Sequence, residues 1–152
     1  MRVALRLAAR AGARGEVPVG ALVVRDGKVL GRAANNRERR RDFLGHAEIV
    51  AMRRACKQAG DWRLDGATVY VTLEPCPMCV GAMLGARIAR VVYGASDPAC
   101  GAAGTVVDLA DYPGMSHHID WVGGVYGRQS RRLIEDFFRQ RRAEGRSEGT
   151  TE

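Results

Sequence analysis

The stretch Thr68-Val69-Tyr70-Val71-Thr72-Leu73-Glu74-Pro75-Cys76-Pro77-Met78-Cys79 decides how this chain folds. Its first half, Thr68 to Leu73, is rich in β-branched and aromatic residues and reads as a buried strand. Its second half reads as the first turn of a helix entered directly from that strand. Pro77 suits such a turn, because the first N–H groups of a helix have no partner and a missing one costs nothing. Pro75 stiffens the entry. Cys76 and Cys79 then sit at a helix N-terminus, where the partial positive charge favours thiolate over thiol. Two thiols at this spacing read as metal ligands, and two ligands alone cannot close a tetrahedral site.

The rest of the chain supplies the frame. With 152 residues and a hydrophobic fraction of 46% it suits one soluble globular domain. We expect that domain over residues 1–143, with a disordered polar tail over 144–152. No apolar run approaches a membrane span, and no secretory signal opens the chain, so a cytoplasmic protein with reduced thiols is expected. Cys56 falls in a helical pattern and reads as a small buried hydrophobe; Cys100 receives no role. The net charge is +7, and Lys28 and Lys57 are the only lysines. A basic balance points to an anionic partner, nucleic acid before membrane, although arginine usage also follows genomic base composition.

Met1 to Ala13 has the pattern of an amphipathic helix built on Val3, Leu5, Leu7 and Ala8. Val17 to Val24 and Val29 to Ala33 read as strands joined by an Asp26-Gly27 hairpin turn. Asn35 to Gly45 is a polar loop whose arginines, Arg37 and Arg39 to Arg41, suit either solvent or phosphate. A helix is expected from His46 to Ala59, then the strand Thr68–Leu73, the Cys76 helix to about Ala86, and a strand Arg90–Gly94. Strands alternating with helices imply an α/β fold with parallel central strands and right-handed crossovers, made mixed by the opening hairpin. Ala95 to Gly114 reads as a loop with one helical turn near Val106–Leu109. A short strand Ile119–Val122 and a last helix follow, its buried stripe formed by Leu133, Ile134, Phe137 and Phe138.

Of three histidines, His46 stands apart. It opens a predicted helix one helix-plus-strand crossover before Cys76, which brings two helix starts to the same edge of a parallel sheet. Residues two apart do not share a helix face. His46 and Glu48 can therefore serve one metal centre only if the ion lies off the end of the helix. His46, Cys76 and Cys79 make three ligands with one position open, the arrangement of catalytic zinc and not of structural zinc. Glu48 is left as the acid/base group that moves a proton between an activated water and the substrate.

His46-Ala47-Glu48 with Pro75-Cys76-Pro77-Met78-Cys79 is the H-x-E…P-C-x-x-C signature of the zinc-dependent nucleoside and nucleobase deaminases. Beyond it, Glu16 to Ala21, Thr72 to Cys76, Gly101-Ala102-Ala103-Gly104 and Phe137-Phe138-Arg139 resemble the bacterial tRNA-specific adenosine deaminases (the TadA type) over nearly the whole chain. The resemblance implies a three-layer α/β/α sandwich around a five-stranded mixed sheet, one Zn²⁺ per chain and a homodimer. It implies conversion of adenosine to inosine at the wobble position of a tRNA anticodon stem-loop. It matches Asn35 to the residue holding the purine edge, and Asp97, Phe137, Phe138 and Arg139 to an anticodon groove. His117 matches a position near that groove and reads equally as a surface histidine. Where members of that family carry Asp-Pro-Thr-Ala, this chain has Asp42-Phe43-Leu44-Gly45. A guanine or cytosine deaminase acting on a free base, or a zinc-stabilised RNA-binding module without catalysis, are the competing readings.

Overall fold

The computed structural model describes residues 1–148 of the chain. Helix α1 (Arg2–Gly12) leads into the hairpin β1 (Gly20–Arg25) and β2 (Lys28–Ala34). A single turn, α2 (Arg37–Arg40), interrupts the loop before α3 (Ala47–Ala59). Then come β3 (Thr68–Leu73), α4 (Pro77–Gly85), β4 (Arg90–Ala95), β5 (Asp120–Val122) and the long α5 (Gly127–Glu148). The tail expected over 144–152 thus begins inside a helix, and residues 149–152 lie outside the described region. Among the described residues no helix is long and apolar enough to cross a membrane.

The five strands form one mixed sheet in the order β2-β1-β3-β4-β5. β1 runs antiparallel to both β2 and β3, whereas β3, β4 and β5 are parallel. The hairpin turns through Asp26 and Gly27, both at positive φ (52° and 72°), as a tight two-residue connection requires. Because β2, β3 and β4 all point the same way, their C-terminal ends share one edge of the sheet. Asn35, Glu74 and Ser96 follow those ends directly, and the starts of α3 and α4 return to the same edge.

α1 and α5 cover one face and α3 and α4 the other, which makes the expected three layers. The core between them is small-residue and β-branched: Val23, Val69, Val71, Val80, Val91, Met83 and Ile88 are all fully buried. Of the expected Val3, Leu5, Leu7 and Ala8, α1 buries Ala8 alone, together with Ala4 and Ala11, while the three larger residues stay half-exposed. The reason is close approach. A Cβ on Gly20 would run into the Ala4 carbonyl and lie 2.8 Å from the Ala8 nitrogen. On the other face α3 sits over β2 in the same way, with Ala51 and Ala55 above Gly31. Alanine on the helix and glycine on the strand replace the large-on-large packing that a hydrophobic pattern suggests.

Three further expectations change. The helical turn near Val106–Leu109 is absent; an isolated bridge between Ala103 and Asp108 holds that loop instead. Phe138 is exposed and leaves the buried stripe of α5, whereas Phe137 stays in it. Cys56 is only partly buried, its thiol 3.5 Å from the Trp62 carbonyl.

The contact of α3 with β2 generates a prediction. Gly31→Ala places a methyl against backbone that cannot yield, 2.8 Å from the Ala55 nitrogen. Overpacking of this kind costs about 1–3 kcal/mol. A thermal melt should fall by about 2–4 °C for each kcal/mol.

Candidate metal centre and the pocket around it

Two helix starts meet at the strand-end edge. His46 is the N-cap of α3 and Cys76 the N-cap of α4, both with extended backbone (φ −68°, ψ 141° and φ −76°, ψ 171°). N-cap side chains commonly bond to their own helix N–H groups. Neither of these does so. Both side chains turn instead towards a common point, where Cys79 joins them from the first turn of α4.

His46 Nδ1 lies 3.7 Å from Cys76 Sγ and 3.5 Å from Cys79 Sγ, and the two sulfurs are 3.7 Å apart. A tetrahedral ion with metal–sulfur bonds of about 2.3 Å and metal–nitrogen bonds of about 2.0–2.1 Å has edges of about 3.8 Å and 3.6 Å. The triangle of donors therefore fits three corners of a zinc-like tetrahedron. Among the described residues this is the one cluster of such donors able to hold a metal ion.

Without an ion the three groups share protons unequally. A hydrogen bond from Cys79, assisted by His46 and opposed by burial, holds the Cys76 thiol down at about 4. The same hydrogen bond, then burial and the nearby Glu48 carboxylate, push the Cys79 thiol up. The bond with Cys76 raises the His46 imidazole against the opposing pull of burial. A dication replaces protons at such a site, so binding it releases them.

Glu48 lies in the first turn of α3 and is only 4% exposed. Burial pushes its carboxyl above the usual carboxylate range; its backbone N–H, His46 and a hydrogen bond with Cys79 oppose that rise. A carboxyl group raised in this way, beside a metal site, is placed to accept a proton and return it.

Two further buried carboxylates shape the surroundings, and the sequence reading gave neither a role. Glu74, 2% exposed, accepts hydrogen bonds from the backbone N–H groups of Asp97 (3.0 Å), Ala103 (3.1 Å) and Thr105 (3.0 Å). It thereby folds the 97–105 loop over the end of β3, where Ala102 also donates to the Pro75 carbonyl at 2.9 Å. Gly101 is needed there: a Cβ would lie 2.5 Å from the Glu74 carboxyl carbon. Glu16, 1% exposed, does the same across the edge. It accepts from the Arg39 N–H (2.8 Å), the Glu38 N–H (3.2 Å) and the Asn35 side-chain amide (3.4 Å). The only sequence signal is weak, since each acid stands next to an apolar strand and a proline; the N–H groups that bind it come from far along the chain.

Of the expected groove residues, Asp97 and Phe138 share an apolar cavity of ≈ 650 Å³ with Val17, Leu73 and Ile134. The Asp97 carboxylate accepts from the Ala99 N–H at 2.9 Å and from the Cys100 thiol at 3.2 Å. Phe137 is not part of that lining; it is buried and meets Phe138 edge-on, ring centres 5.4 Å apart. Arg139 pairs with Asp136 and lines an adjoining groove of ≈ 660 Å³ with Arg128, Arg131 and Arg132. His117 is half-buried against the Ile88 carbonyl at 2.7 Å, and His118 pairs with Asp111 at 2.9 Å. Phe43 and Leu44, the divergent pair before His46, are exposed.

The family profile of the MafB19-like deaminases matches residues 1–142. The chain is similar to the tRNA-specific adenosine deaminase of Bacillus subtilis (strain 168), 43% identical over 93% of this chain and 88% of that protein. It is also similar to a chain solved in structural studies of A-to-I editing by tRNA:A34 deaminases at the wobble position of transfer RNA. That match has a TM-score of 0.84 and 44% identity, over 88% of this chain and 96% of that one. A guanine deaminase from Bacillus subtilis is further away, with a TM-score of 0.62 and 35% identity over 80% of each chain.

The burial of Glu48 has a consequence for stability. Its carboxyl titrates above its ordinary value of 4.5 in the fold. Protonated Glu48 therefore stabilises the fold fully below that value, and the contribution is lost as pH rises through the raised one. Glu48→Gln stays neutral and escapes the loss. In chelated protein the variant should melt higher than wild type near neutral pH, with a gap of about 2–4 °C per kcal/mol. Melts recorded at successively lower pH should show the gap closing.

Proposed function

This chain belongs to the MafB19-like deaminases and, within them, to the tRNA-specific adenosine deaminases. From that premise we propose that it hydrolyses adenosine to inosine, releasing ammonia, at the wobble position of tRNA anticodons. The observation that carries the reading is the placement of Glu48: a buried carboxyl two residues beyond a helix-end histidine, beside two cysteines whose spacing fits zinc.

His46, Cys76 and Cys79 are the residues that hold Zn²⁺, one ion per chain. When bound, the ion supplies Lewis acidity that brings the pKa of a water near neutral. Glu48 takes the proton released by the attacking water and passes it to the purine ring nitrogen. It then takes the proton of the hydroxyl newly added to the purine carbon and hands it to the departing amino group as the carbonyl forms, so one water is consumed and one ammonia leaves. Its raised pKa suits both halves of that exchange.

Asn35 holds the purine edge. Glu16 orients it, because an amide whose –NH₂ is committed to a carboxylate presents its carbonyl oxygen to the substrate. Asp97 and Phe138 line the groove that takes the flanking nucleotides, with Phe138 as the exposed stacking ring and Phe137 as its buried support. Arg139 contributes charge to the neighbouring groove. The net charge of +7 favours an RNA substrate over a free base. The chain works as a cytoplasmic homodimer. Trp62 and Met115, both exposed on one shallow groove, supply apolar surface for a second copy, which sedimentation of the zinc-loaded protein tests.

Inosine mapping in anticodon stem-loops incubated with the protein decides between RNA and free base. Ammonia from guanine or cytosine with no inosine in the RNA would sink the tRNA reading. Glu48→Gln should keep one zinc and its RNA affinity while turnover falls by about 10²–10⁴-fold, the range for a lost general acid–base group. His46→Ala should lose the metal; full zinc occupancy in that variant would refute the ligand assignment.

A further inference from the structure

Away from the metal centre, a cleft of ≈ 410 Å³ opens along the outer edge of β2. Six arginines line it: Arg10 and Arg14 from α1, Arg32 from β2, Arg39 and Arg40 from α2, and Arg54 from α3. Residues distant in sequence thus bring six guanidinium groups to one concavity. Among the described residues none of the six takes part in an ion pair. The one carboxylate in the lining, Glu16, is buried and turned to the N–H groups of α2 and to Asn35.

Like charges gathered without counter-ions repel, and a fold that tolerates them leaves a strong positive potential in the concavity. The contrast with α5 sharpens the point. There Asp136 pairs with both Arg132 and Arg139, so that cluster is partly neutralised. Arginine, with five donors in a planar fork, matches phosphate oxygens two at a time. The cleft also connects to the pocket: Asn35 and Asn36 belong to its lining, and the Asn36 N–H donates to the Gly45 carbonyl at 2.9 Å, one residue before His46. An RNA strand whose reactive nucleotide enters beside His46 can therefore lay its backbone into the cleft without leaving the protein surface.

We propose that this arginine cleft is a phosphate-binding surface for the sugar–phosphate backbone of the substrate RNA, on the β2 side of the pocket. The proposal rests on the RNA-deaminase reading above and extends the RNA footprint beyond the pocket and the α5 groove. Arg10, Arg14 and Arg32 carry it, since they are exposed and lie outside the α2 turn beside Asn35.

The test uses the full chain with zinc bound. Dissociation constants for a tRNA transcript with adenosine at the wobble position, and for its anticodon stem-loop, are measured across a salt series. The wild type is compared with Arg10→Gln/Arg14→Gln/Arg32→Gln. Each lost phosphate contact lowers the slope of log K against log salt by about 0.7–0.9. The triple variant should therefore lose about 2 units of slope and bind about 10–100-fold more weakly at low salt. Inosine formation at saturating RNA should stay within about twofold of wild type, since no charge near the proton-transfer groups changes. Arg63→Gln, which breaks a pair with Asp65 outside the cleft, should leave the slope alone.

Weakening with tRNA but not with the stem-loop places the contacted phosphates outside the anticodon arm; weakening with both places them inside it. Either result supports the proposal. Unchanged affinity and slope overturn it and leave the cleft to a polyanion other than RNA, as does an equal loss in the Arg63 control. A wild type that edits RNA with an unaltered triple-variant slope refutes this surface alone. A wild type that binds no RNA refutes the functional reading and this surface with it. Should the triple variant fail to fold by thermal melt, Arg10→Gln and Arg32→Gln singly should each lower the slope by about 0.7–0.9.

Discussion

The constraint on which this structure depends is that two helices must start at the same point. The two cap residues, His46 and Cys76, come within 3.7 Å although 30 residues separate them. That meeting requires β2 and β3 to end on one edge, and it requires α3 and α4 to return there on the same face of the sheet. The crossover between the parallel strands β3 and β4 places α4, and the close seat of α3 on Gly31 sets the height at which its first turn arrives. A methyl added at that glycine lifts the helix that carries His46 and Glu48. Packing deep in the sheet thus sets donor geometry at its rim.

Around that point the fold gathers three buried carboxylates, and their environments set them apart. Glu16 and Glu74 each accept hydrogen bonds from two or three N–H groups, which fixes them to local backbone. Glu48 has far less help, and burial dominates its titration. A buried carboxylate bonded to backbone on several sides acts as a clamp; one held mainly by burial is left free to exchange a proton. The same residue type therefore does two jobs within one edge. The clamps hold the 97–105 loop and the α2 turn, which leaves the walls of the pocket independent of the proton chemistry between them.

Where local chemistry determined structure, the sequence was legible. Thr68–Leu73 forms the strand read from its β-branched run, and His46 and Cys76 are helix caps as their positions implied. The donor triangle followed from residue type and spacing alone. Legibility failed where the outcome depends on a distant partner. The leucines of α1 read as its buried face, yet alanines are buried, because the deciding residue is Gly20 on another element. Phe137 and Phe138 look alike in sequence, but only Phe137 is buried. Glu16 and Glu74 resemble ordinary surface acids until the N–H groups they bind arrive from residues about 20 to 30 positions later.

Charge distribution is the remaining link between this edge and a large substrate. A small neutral base needs only the pocket, and the pocket needs only Glu48, the three donors and an amide. The arginines lie elsewhere: one set on α5 beside β4, the other on α1, β2 and α3 beyond Asn35. The two sets flank the strand-end edge from both sides of the sheet. Like charges at such density repel; Asp136 offsets part of this on α5, whereas the other set lacks any acidic ion-pair partner among the described residues. A surface that costs stability and borders the reactive point on both flanks fits a polyanion that passes across that point. A strand of RNA crossing the edge, with one nucleotide turned inwards, meets that description; a free base leaves both arginine clusters without an occupant.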